Sequence, residues 1–270
     1  MASIKTWISA LRPRTLFLAI ATAICGSGIA YSTGYFGTSV FVLTMLIAVI
    51  LQLLSNMAND LGDYQHGTDT TGERVGPKRT MQSGAITLPE MKRGIAIAII
   101  AASITGLALI YIALQFMDPL YILLFIILGI ASIIAAIKYT TGKNPYGYRG
   151  LGDLFSFIFF GLVSVLGTFF LHTHHLHFQP VLPAIGLGLL TVAVLNINNM
   201  RDLENDKKSG KITIPVRIGL AKAKRYHAFL TIGAIGCFIA YNIMYTDHWY
   251  QYVYMIIFVV FVKILINIYR

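Results

Sequence analysis

Apolar residues run along this chain in long, nearly unbroken blocks, without the strict alternation of half-buried strands. Eight blocks stand out, at roughly 15–33, 38–58, 93–116, 119–138, 154–172, 180–200, 226–245 and 250–269. Each has about the 20 residues that a helix needs to cross a hydrocarbon core. Lipid offers an open backbone no hydrogen bonds, so each block is predicted to be helical. The pattern predicts an all-α, polytopic transmembrane helix bundle of eight spans, forming one domain over residues 1–270.

Composition points the same way. The 270 residues are 56% hydrophobic and 12% charged, with a mean hydropathy of +0.70. A soluble domain carries about 25% charged residues, so this chain lacks the polar surface to face water on all sides. The apolar block beginning near Leu16 is as long as a span and has no clear cleavage site, unlike a secretory signal. Cys25 and Cys237 both fall inside apolar blocks and read as packing residues, not as a disulfide pair.

A net charge of +10 raises the question of nucleic acid. The distribution of charge answers it. All 21 Lys and Arg lie at the N-terminus, in the connections after the second, fourth and sixth blocks, or near the C-terminus. The connections at 33–39, 117–118, 172–179 and 246–250 have none. That asymmetry orients a membrane protein by the positive-inside rule. It predicts a multi-pass chain with a cytoplasmic N-terminus, a lipid bilayer for its surroundings and no nucleic-acid partner.

Acidic residues contribute little to that rule, yet they cluster on the same side. Asn56, Asn59, Asp60, Asp63 and Asp69 follow the second block, and Asn198, Asn199, Asp202, Glu204 and Asp206 follow the sixth. Both contain asparagine, then aspartate four residues on, then a second aspartate three or four further (Asn56/Asp60/Asp63 and Asn198/Asp202/Asp206). That spacing puts each pair of carboxylates on one helix face. Hard oxygen ledges of this kind suit Mg²⁺, whose octahedron waters and substrate phosphate oxygens complete. Arg74, Lys78 and Arg79 follow the first cluster, and Lys207, Lys208 and Lys211 the second. One such cluster reads equally well as a solvated helix end. Two matched clusters on one side point to a diphosphate held between metal ions.

Other features weigh less. The His172–His177 tract lies on the opposite side without carboxylates and reads as a solvated loop. Trp7, Trp249 and Tyr250 read as interfacial anchors.

The motifs themselves resemble the UbiA superfamily of membrane prenyltransferases, and within it the MenA-type branch, the 1,4-dihydroxy-2-naphthoate polyprenyltransferases. N-D-L-G-D-Y-Q-H-G-T-D (Asn59–Asp69) is similar to that branch's N-D-x-x-D-x-x-x-G-x-D form, and R-V-G-P-K-R-T-M-Q-S-G (Arg74–Gly84) continues the likeness. The fourth connection (Lys138–Asp153) resembles the branch's P-Y-G-Y-x-G-L-G-D signature, and Asn198–Gly219 its second acidic motif. L-R-P-R-T-L (Leu11–Leu16) fits as well.

The resemblance implies a bundle of usually nine spans, with a cleft opening to the cytoplasmic side of a cell membrane. It implies Mg²⁺-dependent transfer of a polyprenyl group from polyprenyl diphosphate to 1,4-dihydroxy-2-naphthoate with decarboxylation, in menaquinone biosynthesis. Asp60, Asp63, Asp202 and Asp206 would hold Mg²⁺, with Asn56 and Asn198 as further oxygen donors. Asn59, Arg74, Lys78, Arg79, Lys143 and Lys211 are the remaining candidates for the diphosphate. Asp69, His66 and Tyr139 are candidates to position the acceptor or take its hydroxyl proton. A sister enzyme using another acceptor, such as 4-hydroxybenzoate, is the alternative within the class. A cation-coupled transporter fits less well, since such sites lie near the bilayer midplane.

Overall fold

A computed structural model of the chain describes residues 2–68 and 79–269. Among these residues helix is the only regular structure. Eight helices are long and apolar enough to cross a membrane: Ile4–Ser32, Thr38–Gln65, Leu88–Leu114, Pro119–Lys138, Gly152–Thr173, Val181–Arg201, Leu220–Tyr245 and Trp249–Tyr269. In chain order these are the first to eighth spans. The eight apolar blocks are all present, but several ends differ from the expected ones.

The first span is broken near its start. A helix over Ile4–Leu11 stops at Arg12, which has φ +49°, and the chain turns through Pro13–Thr15 before resuming at Leu16. Proline disfavours helical geometry at the residue before it, which places the break at Arg12. The second span runs on to Gln65, so Asn56, Asn59, Asp60 and Asp63 all sit on continuous helix. The third starts at Leu88, capped by Thr87 and Glu90, whose side chain accepts from the Thr87 backbone N–H at 3.0 Å. Lys92 and Arg93 are therefore inside it, not ahead of it.

The sixth span ends at Arg201. Asp202 breaks the helix (φ −95°, ψ 13°), and a short helix over Leu203–Lys208 follows. The interruption is one residue long: the Asp206 N–H still donates to the Asp202 carbonyl at 2.8 Å, so the two stay one turn apart, as their spacing predicts. The fifth span is wound as a π-helix over Phe157–Leu166 between two α-helical ends. Such segments are common at functional sites, and this one brings Phe159, Phe160, Val163 and Ser164 to a central cavity.

The second span packs against the first, third and fourth, and the fifth against the first and sixth. The seventh lies on the sixth and the eighth on the seventh. Lipid gives no hydrophobic drive between helices, so close approach of small residues does that work. A Cβ on Gly161 would meet the Ala184 carbonyl oxygen at 2.7 Å and the Gly188 Cα at 2.8 Å, which fixes the contact of the fifth and sixth spans. At the end away from the acidic clusters, His172 is buried rather than solvated. Its Nδ1 accepts from the Gly37 N–H at 3.2 Å, which leaves Nε2 to donate to Ser27 Oγ at 3.1 Å. His174, His175 and His177 are exposed, as expected of a loop.

Gly161→Val is expected to cost about 2 kcal/mol by overpacking, read as a lowered unfolding temperature in detergent. Gly236→Ala, whose added carbon meets nothing within 4 Å, is the control that should not lower it, since alanine favours helix over glycine.

Candidate active site

One cavity of about 600 Å³ runs between the first six spans. Along the second span it is lined from Asp63 to Thr44, which at 1.5 Å per residue is about 28 Å of helix. That is nearly the ~30 Å thickness of a hydrocarbon core. Its two ends differ in kind. At one end stand Arg12, Asn59, Asp60, Asp63, Arg79 and Lys211. At the other, Thr44 and Thr168 are the polar groups among Ile47, Leu109, Ile110, Phe125 and Leu171.

The polar end is built around two carboxylates on the second span, Asp60 and Asp63, each 1% exposed. Asp63 is ion-paired to Arg79, accepts from Tyr148 Oη at 2.7 Å and has Lys211 Nζ at 3.8 Å. Tyr148 also meets the Thr68 hydroxyl, and Lys211 lies over its ring, 5.3 Å from the centroid. Asp60 accepts from Thr80 Oγ1 through one oxygen. Its other oxygen has no hydrogen-bond partner, and Arg12 stands at 3.9 Å. Arg79 Nη1 also donates to the Asn59 carbonyl at 2.9 Å.

The glycine within N-D-L-G-D has a steric cause. A Cβ on Gly62 would lie 2.5 Å from the Thr140 carbonyl, so only glycine lets the end of the fourth span press on the second. Thr140, itself fully buried, donates to the Ala58 carbonyl at 3.0 Å and lies 3.2 Å from Asn59 Oδ1. The loop beyond it returns Tyr148 to Asp63. Its backbone also pairs with the second acidic motif, Ile212 N–H donating to the Tyr148 carbonyl at 3.0 Å.

The sequence-predicted residues divide by placement. Asn56, Asn59, Asp60, Asp63, Arg79, Tyr139, Asn198, Asp202 and Lys211 line the cavity. Asn56 does so as a peg: its amide donates to the Leu11 carbonyl at 2.7 Å and to Thr15 Oγ1 at 2.9 Å, and accepts from Gln52 at 3.1 Å. Its N–H groups are committed to the broken first span. Asp202 is held by Arg201 in a two-pronged pair at 2.9 and 2.7 Å. Asp206 is buried behind the lining with one oxygen unpartnered, and burial pushes its carboxyl up to about 6 against the opposing Lys211. His66 and Lys143 lie outside the lining. His66 Nε2 is 3.0 Å from the Gly142 carbonyl and its ring packs on Tyr148, while Lys143 is exposed. Asp69, Arg74 and Lys78 fall outside the described residues.

Sequence reasoning passed over Arg12, Thr80, Tyr148 and Arg201. Arg12 and Tyr148 lie inside motifs already singled out, and Arg201 precedes an aspartate already chosen. The partners of Arg12, Thr80 and Tyr148 are remote in sequence, and only folding reveals them, whereas Arg201 pairs with its neighbour Asp202.

Buried carboxylate oxygens without partners are costly, and Asp60 and Asp206 each have one. Such oxygens fit a hard divalent cation. No three His, Cys, Asp or Glu side chains converge among the described residues.

A channel crossing most of a bilayer, apolar at one end and lined with buried carboxylates and cations at the other, defines a membrane-embedded site for an amphiphile with an anionic head. The chain belongs to the UbiA prenyltransferase family, whose profile matches residues 19–270. It is 45% identical to the 1,4-dihydroxy-2-naphthoate octaprenyltransferase of Haemophilus influenzae, over 94% of this chain and 82% of that protein. To the enzyme of the same name from Escherichia coli it is 46% identical, over 88% and 77%. The fold matches a UbiA homolog from Aeropyrum pernix with a TM-score of 0.68 at 19% identity, covering 95% of this chain and 87% of that one. It also matches a UbiA homolog from Archaeoglobus fulgidus bound to GPP and Mg²⁺, with a TM-score of 0.67 at 15% identity over 96% and 85%.

Tyr148→Phe removes one charge-assisted hydrogen bond to Asp63. It is expected to leave the protein folded and lower prenyl-transfer kcat/KM by about ten-fold. An unchanged value would mean that Arg79 and Lys211 hold Asp63 unaided.

Proposed function

We propose that this protein transfers a polyprenyl group from polyprenyl diphosphate to 1,4-dihydroxy-2-naphthoate. The ring carboxylate leaves as CO₂, and the product is demethylmenaquinol, on the way to menaquinone. The observation that carries the reading is the single cavity joining the Asp60/Asp63 end to an apolar channel. The choice of acceptor rests on the names of the similar bacterial enzymes. The whole chain acts as one domain in the cell membrane. Its charge distribution puts the N-terminus and the polar mouth of the cavity on the cytoplasmic side.

The residues divide the work. Asp60, Asp63, Asp202 and Asp206 would hold Mg²⁺, which when bound neutralises the diphosphate and stabilises it as a leaving group. Arg79 and Lys211 at the cavity wall add fixed positive charge where negative charge develops, with Asn59 and Asn198 as neutral polar neighbours. The allylic C–O bond breaks, and diphosphate departs with the electron pair. The electron-rich naphthoate ring then bonds to the allylic carbon at the position bearing the carboxylate. Loss of CO₂ returns the pair from that carbon–carbon bond to the ring. Tyr139, on the cavity wall, positions the acceptor. Arg74 and Lys78 are further diphosphate donors in this reading, and Asp69 a further acceptor contact. His66 and Lys143 act at the rim rather than inside.

Asp60→Ala is expected to lower turnover by at least about 100-fold while the protein remains inserted and elutes normally in detergent. Asp202→Ala should do the same. Near-normal activity in either variant, at saturating substrates and Mg²⁺, would sink the carboxylate roles. Labelled prenyl diphosphate offered with 1,4-dihydroxy-2-naphthoate or 4-hydroxybenzoate should be consumed with the former, releasing CO₂ in detergent without vesicles. Turnover with 4-hydroxybenzoate alone would assign the protein to the sister reaction.

A further inference from the structure

The lower half of the cavity is kept open by two glycines. Gly106 on the third span and Gly129 on the fourth both line it, and a Cβ built on either meets nothing within 4 Å. Elsewhere in the bundle, at Gly26, Gly62, Gly161 and Gly188, the added carbon would collide with a neighbouring helix or loop. Packing therefore accounts for those glycines and not for Gly106, Gly129, Gly28 or Gly236, and of these four only the first two line the cavity. In a helix glycine costs about 1 kcal/mol relative to alanine, so the pair at the cavity calls for another reason.

Their placement supplies one. The third and fourth spans are antiparallel neighbours joined by a short connection. Gly106 lies eight residues before the third ends and Gly129 ten after the fourth begins, about 12 and 15 Å from that connection. The two glycines thus stand at nearly the same depth on adjacent walls. The fourth span lines the cavity with Phe125 and Leu128, then only with small residues from Gly129 through Ala136, up to Tyr139. On the third span, Leu109 and Ile110 lie one turn below Gly106 on the same face. The floor is rigid, with Phe125 stacked on Phe170 at 5.6 Å and Phe170 against Tyr121 at 5.1 Å.

We propose that Gly106 and Gly129 set the length of prenyl chain the enzyme accepts, by leaving the channel clear between the acidic end and the Phe125 floor. The inference rests on the prenyl-transfer reading above. A side chain at either position projects into the path of the tail. The first units of the chain, near the carboxylates, stay unobstructed.

The test compares geranyl diphosphate with octaprenyl diphosphate as donors for wild type, Gly129→Ala, Gly129→Phe and Gly106→Leu. Gly129→Ala should keep geranyl transfer and lower octaprenyl kcat/KM by less than the larger residues do. Gly129→Phe and Gly106→Leu should keep geranyl transfer within about two-fold and lose octaprenyl kcat/KM by about ten-fold or more, the scale on which pocket volume discriminates apolar groups. Retained geranyl transfer certifies that these variants are folded. Equal loss of both donors, or loss of neither, overturns the gauge while leaving the functional reading intact. A wild-type protein that turns over neither donor overturns the functional reading and the gauge with it.

Discussion

The architecture depends on finding partners for two carboxylates buried at the end of a membrane helix. Taking an ion out of water costs several kcal/mol unless partners replace the lost solvation. For Asp63 those partners come from three places: Arg79 from the connection after the second span, Tyr148 from the fourth connection, and Lys211 from the sixth. No segment of the chain supplies them alone. The three polar connections are thereby drawn to one point, and the spans that carry them are drawn in too. Buried charge here organises the fold as much as it serves chemistry.

Much of this was legible in the sequence. Lipid admits only helices, so eight apolar blocks translated directly into eight spans. The spacing Asn56/Asp60/Asp63 placed its members on one face because the second span runs through them without interruption. At Asp202 and Asp206 the helix is interrupted for one residue, which the spacing did not foretell, but the backbone bond between them keeps them one turn apart. The partners were harder to read. Nothing local marks Tyr148 as the donor to Asp63, or Thr80 as the donor to Asp60, since those bonds exist only after distant segments meet. That Asn56 also pegs the first span through its amide N–H groups had no mark in the sequence either.

The cavity unites two kinds of recognition that would conflict in a uniform site. Its charged end orders a head group by fixed dipoles and ions, while its apolar length accepts a tail by volume alone. The π-wound stretch of the fifth span serves the second task. By widening the helix over Phe157–Leu166 it turns aromatic and small residues alike toward the channel. Gly161, on the same stretch, keeps the helix close to the sixth span.

The broken first span is fastened at two points. The backbone N–H of Ala2 donates to Glu90 at 2.9 Å, and the Trp7 ring sits where a side chain on Gly94 would otherwise stand, which ties the helix over Ile4–Leu11 to the third span. Asn56 ties its end and the turn beyond it to the second. Arg12 stands between these two anchors, so its place beside Asp60 is inherited from both spans rather than from its own helix.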